Sequence, residues 1–238
     1  MTQKELPFIR AMFDSIAPRY DLLNRLLSMR RDVMWRRKLV TAMGRRRAPF
    51  ILDVACGTGD VIVEALWQTH GGAVVVGVDF APRMLKLAQA KLELSPFEDK
   101  VSLAAADALA LPFHDGLFDA VTIAFGIRNI QNRLDALKAF HKALKPGGVI
   151  LILELTLPRS GPLHRLYLLY FQKLLPLIGR CFSRHASAYT YLPASVLNFP
   201  DHHTFMTTMR TAGFQNVTCS KLTLGIATLF RAIKPENA

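Results

Sequence analysis

The chain has 238 residues, 51% of them hydrophobic, which suffices for one large domain with a sizeable core and is too apolar for a disordered protein. Its three cysteines (Cys56, Cys181, Cys219) are far apart with no CxxC pair, which argues against a disulfide framework and against a zinc site. The net charge of +12 is uneven: residues 1–50 carry 12 Lys/Arg against 4 Asp/Glu, residues 51–158 carry 9 against 12, and residues 159–238 carry 9 against 2, so the basic excess lies at the two ends.

The start of the chain, Met1 to Leu6, lacks the apolar core of a signal peptide, and no window approaches the roughly 18 uncharged apolar residues of a membrane span. The expected compartment is the cytoplasm. Residues 8–43 read as helical, with Phe13, Ile16, Tyr20, Leu23, Leu26 and Leu27 at helical spacing and Pro18 splitting the run into two helices. A first strand, Ile51–Ala55, breaks into the turn Cys56-Gly57-Thr58-Gly59-Asp60, and a helix follows over Val61–Gln68. A second strand, Val74–Val78, ends in Asp79, and a helix over Met84–Leu94 opens near Pro82. Strands over Val101–Ala105 and Ala120–Phe125 come next, then a helix over Arg133–Leu144 stopped by Lys145-Pro146-Gly147-Gly148, then a strand over Val149–Leu153. Leu163, Leu166, Tyr167, Tyr170, Phe171, Leu174 and Ile178 share one face of a further helix. A closing pair, Asn216–Leu222 and Gly225–Ile233, is expected to cap the sheet with an antiparallel edge. Alternation of this kind predicts a doubly wound, mostly parallel seven-stranded sheet with helical cap insertions, a single domain over 1–238 in which 1–48 and 159–200 form the caps.

The glycine turn after the first strand, with a carboxylate 20 residues beyond Gly59 at Asp79, is a nucleoside-binding arrangement: glycine admits the ligand backbone and Asp79 accepts from ribose hydroxyls. Two residues argue against a dinucleotide. Ile62 stands where the third glycine belongs, and Asp60 puts a negative charge at the helix mouth where a pyrophosphate needs a positive one. A ligand bearing an ammonium and a sulfonium, such as S-adenosylmethionine, fits better. The bland alternative is an ordinary strand-to-helix turn.

Several further segments carry a resemblance: Phe13-Asp14-Ser15-Ile16-Ala17-Pro18-Arg19-Tyr20-Asp21 with Asn24, Trp35-Arg36, Leu111-Pro112-Phe113, Phe118-Asp119, Phe125-Gly126-Ile127-Arg128-Asn129, Leu144 to Gly148, Tyr189-Thr190-Tyr191-Leu192 and Ala212-Gly213-Phe214. The chain resembles the class I S-adenosylmethionine-dependent methyltransferases. More narrowly, it resembles the demethylmenaquinone and 2-polyprenyl-6-methoxy-benzoquinol C-methyltransferases of quinone biosynthesis. Cys56, Ala124, His185 and Ala186 depart from that pattern, Ala124 by lacking a serine hydroxyl that reaches the cofactor.

The resemblance implies that S-adenosylmethionine lies across Asp53, Gly57, Thr58 and Gly59 (methionine end), Asp79 (ribose) and Asp107-Ala108 (adenine edge), with Ala124 beside it and Tyr20 closing over it from the N-terminal segment with Asp21. Asp53 has the alternative reading of a strand-end residue capping the turn, and Tyr20 and Asp21 that of packing and capping a helix. Arg128 and Asn129 are expected to face the transferred methyl, arginine as a permanently charged donor to a phenolate, with a loop-holding salt bridge as the alternative. No metal is expected, and His141 and the His202-His203 pair read as surface histidines. The partners expected are a lipid quinol and, through the basic ends, a peripheral contact with an anionic membrane, on the inner face. No nucleic acid is expected, and a homodimer is left open. The expected reaction is C-methylation, most simply of demethylmenaquinol. Two alternatives remain: an RNA methyltransferase, which needs exposed aromatics among the basic clusters, and a non-catalytic cofactor-binding scaffold.

Overall fold

The computed structural model describes residues 5–158 and 186–236. The helix expected over Leu163–Ile178 lies outside them. The elements run α1 (Glu5–Ile16), α2 (Tyr20–Leu27), α3 (Arg31–Thr41), β1 (Phe50–Val54), α4 (Asp60–Gln68), β2 (Val74–Asp79), α5 (Pro82–Leu92), β3 (Val101–Ala105), β4 (Phe118–Ala124), α6 (Arg133–Ala143), β5 (Leu144–Leu155), α7 (Ala186–Leu197), α8 (His202–Thr211), β6 (Gln215–Leu222) and β7 (Ala227–Ile233).

Seven strands form one sheet in the order β3-β2-β1-β4-β5-β7-β6. Strands β1 to β5 are mutually parallel, which suits runs such as Val75–Val78 that are apolar and buried on both faces. The chain winds outward one way from β1 to β3 and the other way from β4, so the switch point lies between β1 and β4. Their register pairs Asp53 with Thr122, and Asp53 also pairs with Gly77 of β2. One face packs Leu52, Val54, Val121 and Ile123 on Phe140 and Phe205. The other packs Ile51, Val75 and Leu151 on Leu39 and Leu66.

Three local differences from the sequence expectation have physical causes. The N-terminal run makes three helices. Pro18 sits in a short 3-10 turn, Ala17–Arg19, between α1 and α2. The second break, at Met29 and Arg30 with φ of 52° and 62°, carries no glycine or proline signal; Ser28 marks it by accepting from the Asp32 amide at 3.3 Å and donating to the Asp32 carboxylate at 2.6 Å. Lys145 to Gly148 follow the end of the helix as expected but lie inside β5, which starts at Leu144 rather than Val149 and shifts its register with β4 between Phe118 and Ala120. Helix α8 was not expected, although the Asp201 side chain caps it by accepting from the Thr204 amide at 3.0 Å. The closing pair caps the sheet with an antiparallel edge as expected: β7 runs antiparallel between β5 and β6 and leaves β6 outermost.

Candidate functional site

A cavity of about 660 Å³ opens over the carboxyl ends of β1, β2 and β4, where doubly wound sheets hold ligands. Its floor includes Ala55, Gly57, Asp79, Asp107, Ala108, Ala124 and Asn129, and Phe13, Asp14 and Tyr20 reach over it from the N-terminal helices. Ala55 and Phe125, the residues directly after β1 and β4, both have left-handed φ, 52° and 59°. The two strands therefore turn sharply at the same level, and their turns touch. A Cβ on Gly126 would sit 2.7 Å from that of Ala55. Gly126→Ala is therefore expected to cost about 1–3 kcal/mol and lower Tm by several degrees, measurable by calorimetry.

Asp79 braces the glycine turn. Its carboxylate accepts from the Gly57 amide at 2.8 Å and the Ala81 amide at 2.9 Å while facing the cavity. Burial raises its pKa, and these amide bonds offset only part of the rise. Asp53 lies one residue before the end of β1, 1% exposed, and accepts from the Thr122 hydroxyl at 2.6 Å. Its second oxygen, Oδ2, is buried without a hydrogen-bond partner. Burial pushes the Asp53 carboxyl up to about 7, with the Thr122 hydroxyl and the Arg36 charge pulling weakly the other way.

Three of the expected cofactor residues do not form the cavity wall. Asp53 is buried in the sheet close to it. Thr58 is 4% exposed, and its hydroxyl donates to Asp21 at 2.5 Å and accepts from Lys91 at 3.2 Å. Gly59, with φ 81°, caps the start of α4 and packs on Ala88 of α5. Asp60 does not offer a free negative charge at the helix mouth. Its carboxylate is held by Lys91 at 2.5 Å and Arg36 at 3.4 Å; burial opposes ionisation, but Arg36 and Lys91 keep its pKa below the usual range. It is a neutralised member of an ion network that ties α2, α3 and α5 to the turn. The carboxylates in the cavity wall are Asp14, Asp79 and Asp107, with Asp53 buried close by.

On the β4 side Asn129 lines the cavity and accepts from the Tyr191 hydroxyl at 3.1 Å. Arg128 does not line it. Its guanidinium donates to Glu154 at 2.6 Å, to the Phe125 carbonyl at 2.5 Å and to Ser195 at 3.3 Å. The expectation that Arg128 faces the reacting atoms is thus replaced by a buried clamp on the turn. Tyr20 lies against the glycine turn, 4.0 Å from a Cβ built on Gly57. Of the histidines, His202 is buried, with Nε2 3.0 Å from the Thr228 hydroxyl, rather than a surface residue.

Sequence reasoning missed Phe80 and Met84, which add apolar wall beside Asp79, and Glu154. Phe80 and Met84 were findable, one adjoining Asp79 and one in the first turn of the next helix; Glu154 carried no local signal. Among the described residues no cluster of His, Cys, Asp and Glu is placed to hold a metal.

The cavity suits the cofactor that the resemblance implies. Its size lies within the roughly 300–1,000 Å³ of cofactor pockets, the glycine turn adds no side-chain bulk at Gly57, Asp79 offers acceptors, and Asp53 holds an uncompensated oxygen suited to an ammonium. Residues 1–234 match the model of the ubiE/COQ5 methyltransferase family. The chain belongs to that family. A Geobacter sp. (strain M21) relative named ubiquinone/menaquinone biosynthesis C-methyltransferase UbiE is 49% identical over 95% of this chain and 96% of its own length. A Thermus thermophilus relative named demethylmenaquinone methyltransferase is 46% identical over 94% of this chain and 100% of its own. Among solved structures, a putative methyltransferase from Haloferax volcanii has TM-score 0.69 at 17% identity, covering 94% of this chain and 97% of that one. A SAM-dependent methyltransferase from Aquifex aeolicus has TM-score 0.61 at 15% identity, covering 83% and 88%. At such identities these two speak for the fold alone. The ubiE/COQ5 match spans the N-terminal helices as well as the sheet, so the roof of the cavity belongs to the family pattern as much as its floor.

Proposed function

We propose that this chain moves the methyl group of S-adenosylmethionine to a ring carbon of a polyprenylated quinol, demethylmenaquinol to menaquinol in the first instance. The observation that carries the reading is the pairing of a cavity-facing Asp79 with a buried, unpartnered Asp53 oxygen under the glycine turn, in a chain that matches the ubiE/COQ5 methyltransferase family over residues 1–234. When bound, the cofactor supplies an electrophilic methyl group to the ring carbon and leaves as a neutral thioether, and the proton displaced from that carbon passes to water. The protein's share is placement. Asp79 takes the ribose, Asp107 and Ala108 the adenine edge, and Gly57 the backbone approach. Ala124 and Tyr20 enclose the donor, while Asp53 supplies negative charge to its ammonium end. Thr58 and Gly59 serve by shaping the turn. Asn129 faces the acceptor ring directly, and Arg128 acts through the turn it clamps. Phe13, Phe80, Met84 and Phe125 keep the cavity poor in water, which strengthens attraction between an electron-rich ring oxygen and the sulfonium.

The competing RNA reading loses its one aromatic platform: Trp35 is 2% exposed and donates its indole N–H to Thr223 at 2.8 Å. The test is incubation of the protein with labelled S-adenosylmethionine and demethylmenaquinol, a polyprenyl benzoquinol or RNA in parallel. Label in demethylmenaquinol is expected; label in RNA alone would sink the reading.

For access to a lipid acceptor, the proposal uses α2. Leu22 and Leu26, one turn apart on α2, are 64% and 50% exposed, and Met29, just past its end, is 82% exposed, beside exposed Arg25, Arg30 and Arg31. Such a face suits the interface of an anionic bilayer. No helix among the described residues is long and apolar enough to cross a membrane. The protein is expected to float with anionic liposomes and not with neutral ones, and a Leu22→Ser/Leu26→Ser/Met29→Ser variant is expected to stay in solution.

A further inference from the structure

We infer that Glu154, at the end of β5, is the positioning residue that sets the acceptor side of the cavity; the inference rests on the methyl-transfer reading above. The turn after β4 carries Phe125, Gly126 and Asn129 into the cavity wall, and Phe125 has a left-handed φ of 59° with only its amide tied to the sheet, at 2.7 Å to the Leu153 carbonyl. Glu154 is 0% exposed and takes hold of this turn from below. One carboxylate oxygen accepts from the Arg128 backbone amide at 3.0 Å. The other accepts from the Arg128 guanidinium at 2.6 Å and the Leu155 amide at 2.8 Å. The same guanidinium reaches back to the Phe125 carbonyl, so one carboxylate fixes the turn at its middle and, through Arg128, at its start. Arg133 adds a bond to the Arg128 carbonyl at 3.1 Å. Asn129, the next residue, is left with its side chain in the cavity wall and its orientation set from the other side by Tyr191.

A buried carboxylate–guanidinium pair is a poor way to gain stability, since desolvating both ions costs about as much as their attraction returns, and an apolar pair of similar volume does as well. Its distinctive property is geometry. Three directed bonds on one carboxylate fix a turn more narrowly than apolar contact can, and a misplacement of about 1 Å at a reacting centre can cost about 100-fold in rate. Glutamine has the same shape but only one oxygen, so it cannot accept from the Arg128 amide, the Arg128 guanidinium and the Leu155 amide as the carboxylate does, and the turn must move. Asp79 and Gly57 belong to β2 and the β1 turn, so donor binding stands apart from this change.

The experiment compares native protein, Glu154→Gln and Glu154→Asp. Calorimetric titration with S-adenosylmethionine counts competent sites and gives Kd, and methylation of demethylmenaquinol is then expressed as kcat per competent site. Expected for the glutamine variant are a Kd within about threefold of native and a kcat per site lower by about 10–100-fold. The aspartate variant, which keeps the charge but retracts it by one methylene, is expected to fall between and is read in the same way if the glutamine variant does not fold. A purely structural role would lower the number of competent sites and leave kcat per site unchanged. That outcome, or a Kd that weakens as much as kcat falls, overturns the assignment. If the native protein binds S-adenosylmethionine but methylates no quinol, the acceptor reading falls and this inference falls with it.

Discussion

Replacing Asp79 by alanine is expected to weaken S-adenosylmethionine binding by at least about 100-fold and to lower the stability of the ligand-free protein at the same time. The carboxylate has two duties. In the proposed reading it is the acceptor for both ribose hydroxyls, and hydrogen bonds to a charged group contribute about 1.5–3 kcal/mol each, so losing two is worth about 3 kcal/mol or more, which is two powers of ten in Kd. It also accepts from the Gly57 and Ala81 amides, which become donors without partners in the alanine variant. The glycine turn should therefore loosen even before ligand is added. Asparagine does not rescue it, because one oxygen replaces two and the amide nitrogen faces an N–H. Calorimetric titration measures the first effect and a thermal scan the second. A variant that binds with a Kd within about threefold of native would remove Asp79 from the ribose site.

The comparison with Asp60 shows where sequence reasoning reaches its limit. Asp60 and Asp79 look alike on paper, each a carboxylate beside a glycine-containing turn or strand end. The place of Asp79 beside the glycine turn and in the cavity wall was legible because a short-range pattern sets its surroundings: an apolar strand, its end, and a glycine turn one strand over in a parallel sheet. Asp60 was misread because its neighbours come from afar. Arg36 belongs to α3 and Lys91 to α5, and only the docking of both helices on the turn neutralises it. Arg128 failed in the same way. Its place after β4 was readable, but the direction of its side chain is decided by Glu154, 26 residues later on the neighbouring strand.

The fold divides likewise. Strands β1 to β5 announce themselves as β-branched or apolar runs, separated by helices except between β3 and β4. The order of β6 and β7 does not follow from pattern, since either strand of a hairpin can be the inner one. What places β7 inside is that Ala227, Thr228, Leu229 and Phe230 are all buried, whereas β6 is buried only intermittently and suits an edge. A strand flanked on both sides has both faces to fill.

The remaining large effect concerns pH. The Asp53 carboxyl is pushed up to about 7 by burial, against 3.8 for the unreshaped side chain. Because the folded value exceeds the unfolded one, the folded protein holds this proton more tightly. The resulting stabilisation is complete below pH 3.8 and is lost as pH rises through 7, for a total of order 4 kcal/mol. Ligand binding should run in the opposite sense. An ammonium group prefers the ionised carboxylate, so affinity for S-adenosylmethionine is expected to rise about 15-fold between pH 5.5 and pH 7 as Asp53 loses its proton. The window stops at pH 7 because α-amino groups themselves begin to lose their proton near pH 7.7–8.0. Asp53→Asn should flatten most of this slope, leaving a residue from Asp79, whose pKa is also raised by burial. It should weaken binding at pH 7 and raise the Tm of the ligand-free protein at pH 8, where native Asp53 is held ionised at a cost. Calorimetric titrations of both proteins across pH 5.5–7, with thermal scans at pH 8, measure all three quantities. Parallel slopes for native and variant would exclude Asp53 as the linked group. A variant that binds more weakly yet melts higher would identify the buried carboxylate as stability given up to hold a cation.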